Sequence, residues 1–212
     1  MPTPTELAQQ FRDAVMRQDA AALGRLARAY SELYQRMQGK LDSLLLAISQ
    51  MESPTRGQVM RLAQYKGLIA ALESELAKYS AFVELEIRSN SQAAVELAVR
   101  QTATFLRAAG YSMPNSLPTN AILNMLGFLQ EDSPLFARIG ELAPYHVQRI
   151  ANALLEGITF GYNPVKTARM FEQYMGGGLT DAMRMTRTAQ LYATREASRA
   201  SYIANADVIE GW

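Results

Sequence analysis

Residues 19–51, DAAALGRLARAYSELYQRMQGKLDSLLLAISQM, decide the fold class of this chain. Apolar side chains recur there every three or four positions, the spacing that places them on one face of an α-helix. They are Leu23, Leu26, Tyr30, Leu33, Met37, Leu41, Leu44, Ile48 and Met51. Asp19 is suited to capping the helix N-terminus, because its carboxylate can accept backbone N–H hydrogen bonds. The pattern predicts one unusually long helix.

A second long helix is predicted after Ser53-Pro54-Thr55, because the residue before a proline avoids the α region. Apolar residues at helical spacing extend from Val59 to Phe105 and predict a helix over Pro54–Ala109. Gly110 is its predicted C-terminal cap. The polar stretch 88–92, RSNSQ, is where we expect a kink or a break.

The N-terminal half therefore predicts an antiparallel helical hairpin with coiled-coil-like apolar seams over residues 1–110. Ahead of it, Thr3-Pro4-Thr5-Glu6 fits a capping box with proline at the first helical position. A separate short helix is expected to follow, ending near Arg17.

The remaining residues, 111–212, predict a small multi-helix domain. Residues 111–118 are rich in turn formers and mark the predicted domain boundary. We expect helices over 119–129, 134–139, 144–159 and 164–175, with Asn163 capping the last of these. Gly176-Gly177-Gly178 is expected to break the chain before a final helix from Thr180. The fold class predicted is all-α, with a possible strand start at residues 208–212 and a natural product that continues beyond Trp212.

Composition excludes several kinds of chemistry. The chain has no cysteine, which rules out disulfides, zinc-thiolate sites and a thiol nucleophile. A net charge of +1 provides no general attraction to nucleic acid, so any anion-binding surface must be local. The N-terminus lacks the pattern of a signal peptide, and the richest apolar run, 44–48, is too short to cross a bilayer. A soluble chain with no membrane segment is predicted.

Possible reactive groups have structural interpretations that we favour. The glycines at 176–178 could hold a phosphate at a helix N-terminus, but no Lys-Ser or Lys-Thr follows and a hinge is the preferred interpretation. His146, the only histidine, is predicted to be a half-exposed structural residue. Carboxylate pairs one or two residues apart do not share a proton on a helix. We therefore predict no catalytic residue, no cofactor and no metal site, and a protein that is not an enzyme.

The last helix carries the candidate binding residues. Arg184, Arg187, Arg195 and Arg199 fall on one helical face and, with Trp212, are the predicted partner-binding residues. The opposite, apolar stripe is predicted to consist of Ala182, Met185, Ala189, Tyr192, Ala200 and Ile203, with Glu196 also on it. Two interpretations stay open. Arg195 and Arg199 could form ion pairs with Glu196 and other carboxylates, or the arginines could contact a partner protein or DNA phosphates.

Residues 143–212 resemble the phage head-morphogenesis family, the minor head proteins typified by the F protein of phage Mu. The resemblance rests on GITFGYNP at 157–164, the helix after it, the glycines, the Arg187-Thr188 pair, Ala204-Asn205 and VIEGW at 208–212. The sequence departs from the family at Ala189 and Gln190, which stand where a glutamate often follows the Arg-Thr pair. Glu196 is the expected substitute in any ion pair that this motif makes.

The resemblance implies a structural virion component without enzymatic activity. Such a protein would associate with the portal or capsid protein and aid head assembly or DNA ejection. It would lie in the capsid interior or portal region, and in the host cytoplasm during assembly. It would be an oligomer in a symmetric assembly, with possible non-specific contact to packaged DNA. The alternatives are a helical adaptor or delivery domain of a phage- or secretion-associated polymorphic toxin, and an enzyme whose site forms only in an oligomer.

Overall fold

The computed structural model describes residues 3–111, 122 and 134–206, and within them the chain is helical with no strand. The helices of these stretches are α1 (Pro4–Ser49), α2 (Arg56–Arg61), α3 (Ala63–Ala108), α4 (Pro134–Thr159) and α5 (Pro164–Ile203). The all-α prediction is confirmed. The helix predicted over 119–129, apart from the helical Ile122, the predicted strand and Trp212 lie outside the described residues.

Helix α1 begins where the sequence predicts but does not stop near Arg17. The Thr3 N–H donates to the Glu6 carboxylate at 2.7 Å and the Glu6 N–H donates to Thr3 Oγ1 at 3.3 Å, which confirms the capping box. These bonds lower the pKa of Glu6. The predicted break at Asp19 is wrong, because the helix continues to Ser49. The Asp19 carboxylate accepts a hydrogen bond from Arg187 instead of capping a helix.

The predicted helix over Pro54–Ala109 is interrupted once. A capping box between Thr55 and Gln58 starts α2, and Leu62 then adopts an extended conformation with ψ 134°. The Leu62 carbonyl accepts the Lys66 N–H at 3.1 Å, so α3 begins at once. The predicted cap at Gly110 is confirmed. Its φ of 97° is one that glycine adopts without strain, and the Tyr111 N–H closes the helix end on the Leu106 carbonyl at 3.0 Å.

The break expected within residues 88–92 is also wrong, since α3 is continuous there. Asn90 and Ser91 are buried. Asn90 donates to Gln190 and its backbone carbonyl accepts from Gln18, so its polar groups are satisfied by α5 and α1. Polar residues that would loosen an isolated helix are here part of the packing.

Two further expected breaks lie inside continuous helices. Helix α4 runs through Pro144, where proline removes one backbone hydrogen bond, and the carbonyl that loses its donor belongs to Gly140, an exposed residue. Helix α5 runs through Gly176-Gly177-Gly178, and its predicted N-cap is confirmed by the Lys166 N–H, which donates to Asn163 Oδ1 at 2.8 Å. The predicted boundaries at 139–144 and 175–180 are therefore wrong.

The chain forms two compact units. Unit 1 comprises Met1–Gly24, Leu85–Phe136 and Arg184–Trp212, and unit 2 comprises Arg25–Glu84 and Ala137–Met183. Each unit includes residues from both sides of the boundary predicted at 110 and 111. The predicted boundary lies next to residues 112–121, which are outside the described part of the chain. The boundary therefore stays a prediction.

Unit 2 has a core of large aliphatic and aromatic side chains. Tyr30 and Tyr79 meet edge to face with ring centres 4.9 Å apart, and Arg36 pairs with Glu75 at 2.7 Å. From the Tyr30–Tyr79 contact to the Arg36–Glu75 pair, residue numbers increase along α1 and decrease along α3. These two segments are therefore antiparallel within the unit. The coiled-coil packing stays a prediction. The buried apolar and aromatic side chains that α1 and α3 contribute here are Leu26, Tyr30, Leu33, Met37, Leu41, Leu44, Tyr65, Leu68, Leu72, Leu76, Tyr79 and Val83.

Unit 1 has a core built mostly from small residues. Phe11 and Val99 pack against this cluster from partly buried positions. Alanine allows helix backbones to approach closely, so α3 and α5 pack without large side chains between them. The cluster consists of Ala94, Val95, Ala98, Ile122, Ala193, Ala197 and Ala200.

Candidate functional site

The predicted binding arginines lie on the outer face of α5 in unit 1. All four are exposed, and exposed apolar side chains lie among them. Leu191 is 53% exposed, Tyr192 44% and Ile203 59%. The predicted location of Tyr192 and Ile203 on the buried stripe is therefore wrong. We call the set Arg184, Arg187, Leu191, Tyr192, Arg195, Arg199 and Ile203 the α5 outer face.

The buried side of α5 explains this difference. Ala182, Ala189 and Ala200 are buried as predicted, whereas Met185 is only half-buried. The other buried residues of α5 within unit 1 are small or polar, so hydropathy alone is a poor guide to which side of the helix is buried. These residues are Thr186, Gln190, Ala193, Thr194, Ala197 and Ser201.

Carboxylates orient Arg187 and Arg199. Arg187 pairs with Asp19 at 3.1 Å, and Arg199 pairs with Glu196 at 3.0 Å. The second pair confirms one of the predicted ion pairs. The expectation that Glu196 substitutes in the ion pair of the Arg-Thr motif is wrong, because Asp19 on α1 occupies that role. Exposed pairs of this kind contribute about 0–1 kcal/mol, so their main effect is to orient the guanidinium groups.

A buried polar network lies beneath the α5 outer face. Gln190 Oε1 accepts a hydrogen bond from Asn90 Nδ2 at 3.1 Å, and Gln190 Nε2 donates to the Val15 carbonyl at 3.2 Å. Gln18 Nε2 donates to the Asn90 carbonyl at 2.8 Å. The network joins α1, α3 and α5 in unit 1 and fixes the rotation of α5, which determines the residues presented outward.

Unit 2 contains a second polar cluster, at His146. The histidine is 1% exposed, so the predicted half-exposed location is wrong. Its Nε2 lies 3.1 Å from Asp181 Oδ2. A Cβ added to Gly177 would lie 3.3 Å from His146 Cε1, and one added to Gly178 would lie 3.1 Å from Tyr30 Oη. The glycines therefore permit close packing within a helix, and both the phosphate site and the hinge are wrong.

Carboxylates in the described residues show no catalytic arrangement. The pKa of Glu75 is lowered by hydrogen bonds from Lys78 and Arg36, which stabilise its charged form. Within 3–111, 122 and 134–206, no group of three or more histidines and carboxylates could hold a metal ion. In the same stretches, no helix combines the length and hydropathy needed to span a membrane.

A groove in unit 2 is large enough for a ligand. It has a volume of about 480 Å³ and lies between α3 and α4. Its lining is mostly apolar, with Ile69, Ala77 and Val147 among its side chains and Glu73 its one carboxylate. A single carboxylate without a nucleophile or base beside it provides no recognisable catalytic set.

Comparison with known proteins provides no relative for this chain. No protein-family model, no curated protein and no solved structure matches it. Function must therefore be inferred from the residues and their geometry.

Proposed function

We propose that this chain is a structural virion component, a phage minor head protein that docks on the portal or capsid interior through the α5 outer face. The observation that carries the proposal is the exposure of Leu191, Tyr192 and Ile203 among four arginines. Protein interfaces are enriched in aromatic residues and arginine, and apolar side chains at their centres provide much of the affinity. The resemblance of residues 143–212 to head-morphogenesis proteins indicates which partner to test.

A protein partner fits this face better than DNA does. The net charge of the chain is only +1, and Arg187 and Arg199 already have carboxylate partners. DNA binding gains most from cations that replace condensed counterions, and it makes little use of exposed leucine. Contact with packaged DNA is therefore a secondary role, and the proposal assigns no chemical reaction to the chain.

Substitution of Leu191 tests the proposed face. We expect Leu191→Ala to weaken binding to a portal ring about 30-fold, since a central apolar anchor contributes about 2 kcal/mol. Titration of the purified ring by fluorescence anisotropy measures the dissociation constant. Leu85→Ala is the matched control, because Leu85 is a 65% exposed leucine of the same unit outside the α5 outer face. Equal losses in both variants would contradict the proposed interface.

The salt dependence of binding distinguishes a protein partner from DNA. We expect Arg195→Ala to slow association with the portal ring and to reduce its salt dependence, because exposed charges act mainly on the rate of encounter. Stopped-flow measurements at several salt concentrations provide these rates. If the chain binds duplex DNA with a steep salt slope and ignores the portal ring, the protein-docking proposal is wrong.

A further inference from the structure

His146 is buried between α4 and the glycine segment of α5 in unit 2. Its Nε2 lies 3.1 Å from the Asp181 carboxylate, and its Nδ1 is buried with no hydrogen-bond partner. A Cβ at Gly177 would lie 3.6 Å from Nδ1, and one at Gly178 would lie 3.6 Å from Cδ2. The ring therefore packs directly against the α5 backbone. This geometry suits a neutral imidazole that carries its proton on Nε2 and donates it to Asp181.

Protonation of Nδ1 would disrupt this arrangement. The added N–H would be buried without an acceptor, which is costly in a site that excludes water. The Tyr145 ring meets the imidazole edge to face at 5.1 Å, and burial raises the pKa of Tyr30 on α1, so that phenol stays neutral. Tyr79 of α3 contacts Tyr30 and is also a neutral phenol.

The charged groups around His146 act in opposite directions. Burial lowers the pKa of His146 from its ordinary value of 6.5, Asp181 on α5 raises it, and Arg149 on α4 lowers it further, with a net decrease. Arg149 itself lies over the rings of Tyr145 and Tyr174, each at 5.3 Å. Burial thus outweighs the carboxylate, and the folded unit binds this proton less readily than the unfolded chain does.

We propose that the contact of His146 with Gly177, Gly178 and Asp181 is an acid-sensitive switch that holds α4 against α5 at neutral pH and releases them on acidification. The contact is fully stabilising above pH 6.5, where the histidine is neutral in both folded and unfolded chains. Stability is lost as the pH falls from that value through the lower pKa of the folded unit. The proposal concerns unit 2 and does not depend on portal binding.

The single histidine makes the titration unambiguous. We expect imidazole ¹H–¹⁵N spectra of the full chain to show the Nε2–H form at pH 7.5 and a titration midpoint below 6.5. Tyrosine circular dichroism near 275 nm should decrease over the same pH range, because Tyr30 packs against Gly178 and the Tyr145 ring meets that of His146 edge to face. An Nδ1–H form, or a midpoint at or above 6.5, would overturn the proposal.

Variants of the charged neighbours of His146 test the electrostatics, with an exposed arginine of the same helix as the control. Arg149→Gln should raise the midpoint and Asp181→Asn should lower it, whereas Arg138→Gln, on the same helix, should leave it unchanged. His146→Gln should abolish the acid-dependent loss of the tyrosine signal. If that variant does not fold, the midpoints of the other three still decide the matter. Unmoved midpoints in Arg149→Gln and Asp181→Asn, or an unchanged acid transition in folded His146→Gln, would contradict the switch.

Discussion

Replacing Gly178 with leucine is expected to lower the free energy of unfolding by about 3 kcal/mol, the upper part of the usual range for overpacking a core. Even a Cβ there would lie 3.1 Å from Tyr30 Oη and 3.6 Å from His146 Cδ2. Neither neighbour can move away easily. Tyr30 is buried and donates a hydrogen bond to the Met175 carbonyl, and His146 is buried against Asp181.

Gly176→Ala is the matched control in the same helix. A Cβ at this exposed position would meet nothing within 4 Å, so alanine should raise the free energy of unfolding by about 0.5–1 kcal/mol through its better helix propensity. Urea unfolding followed by circular dichroism measures both variants. A glycine hinge would give the opposite pattern, with leucine tolerated at 178 and no gain from alanine at 176.

Gln190→Ala is expected to cost about 3 kcal/mol of stability, because it leaves a buried donor without its partner and opens a cavity. Gln190 is buried and bonds both the Asn90 side chain and the Val15 carbonyl. Loss of the network should also let α5 rotate, so portal binding should weaken although no residue of the α5 outer face has changed. Chemical denaturation and the portal titration measure the two effects.

A double-mutant cycle isolates the contribution of the network. Asn90→Ala and Gln190→Ala should be strongly non-additive, with a coupling energy of about 1 kcal/mol or more. Gln92→Ala is the control on α3, since its exposed side chain bonds Glu96 on the surface and should matter by less than about 0.5 kcal/mol. Additive losses at 90 and 190 would show that the two amides stabilise the unit independently.

Helix type and several helix ends were predictable from the sequence because the signals there are local. The apolar positions of α1 between Leu26 and Leu44 are buried as their spacing predicts. The caps at Thr3, Asn163 and Gly110 depend on residues within five positions of each other. Both partners of each bond lie in one short stretch of sequence, so a sequence pattern can predict the bond.

The predicted breaks failed because tertiary partners override local preference. Asp19 is a good N-cap in isolation, but Arg187 is its partner in unit 1. The glycines at 177 and 178 are poor helix formers, but the rings of His146 and Tyr30 require a helix surface without side chains. In both places the deciding residue is more than thirty positions away, beyond the reach of a sequence pattern.

In the candidate site, the outward location of the arginines was predictable from the sequence, but the outward location of the apolar residues was not. The spacing of the arginines correctly indicated an outward face. The buried side of α5 consists largely of alanine, threonine and Gln190, and hydropathy does not distinguish these residues from surface residues. A prediction from hydropathy therefore places the more apolar Tyr192 and Ile203 on the buried side. Of the two partners that the sequence leaves open for the arginines, the exposure of Tyr192 and Ile203 favours a protein surface with apolar contacts over DNA phosphates.

Site-specific photo-crosslinking in assembled heads tests the docking proposal most directly. A photoreactive amino acid at position 191, in the α5 outer face, should crosslink to the portal subunit, and one at position 85 should not. Mass spectrometry of the adducts identifies the partner. Crosslinks from position 191 only to DNA, or portal crosslinks from position 85 and none from 191, would contradict the account.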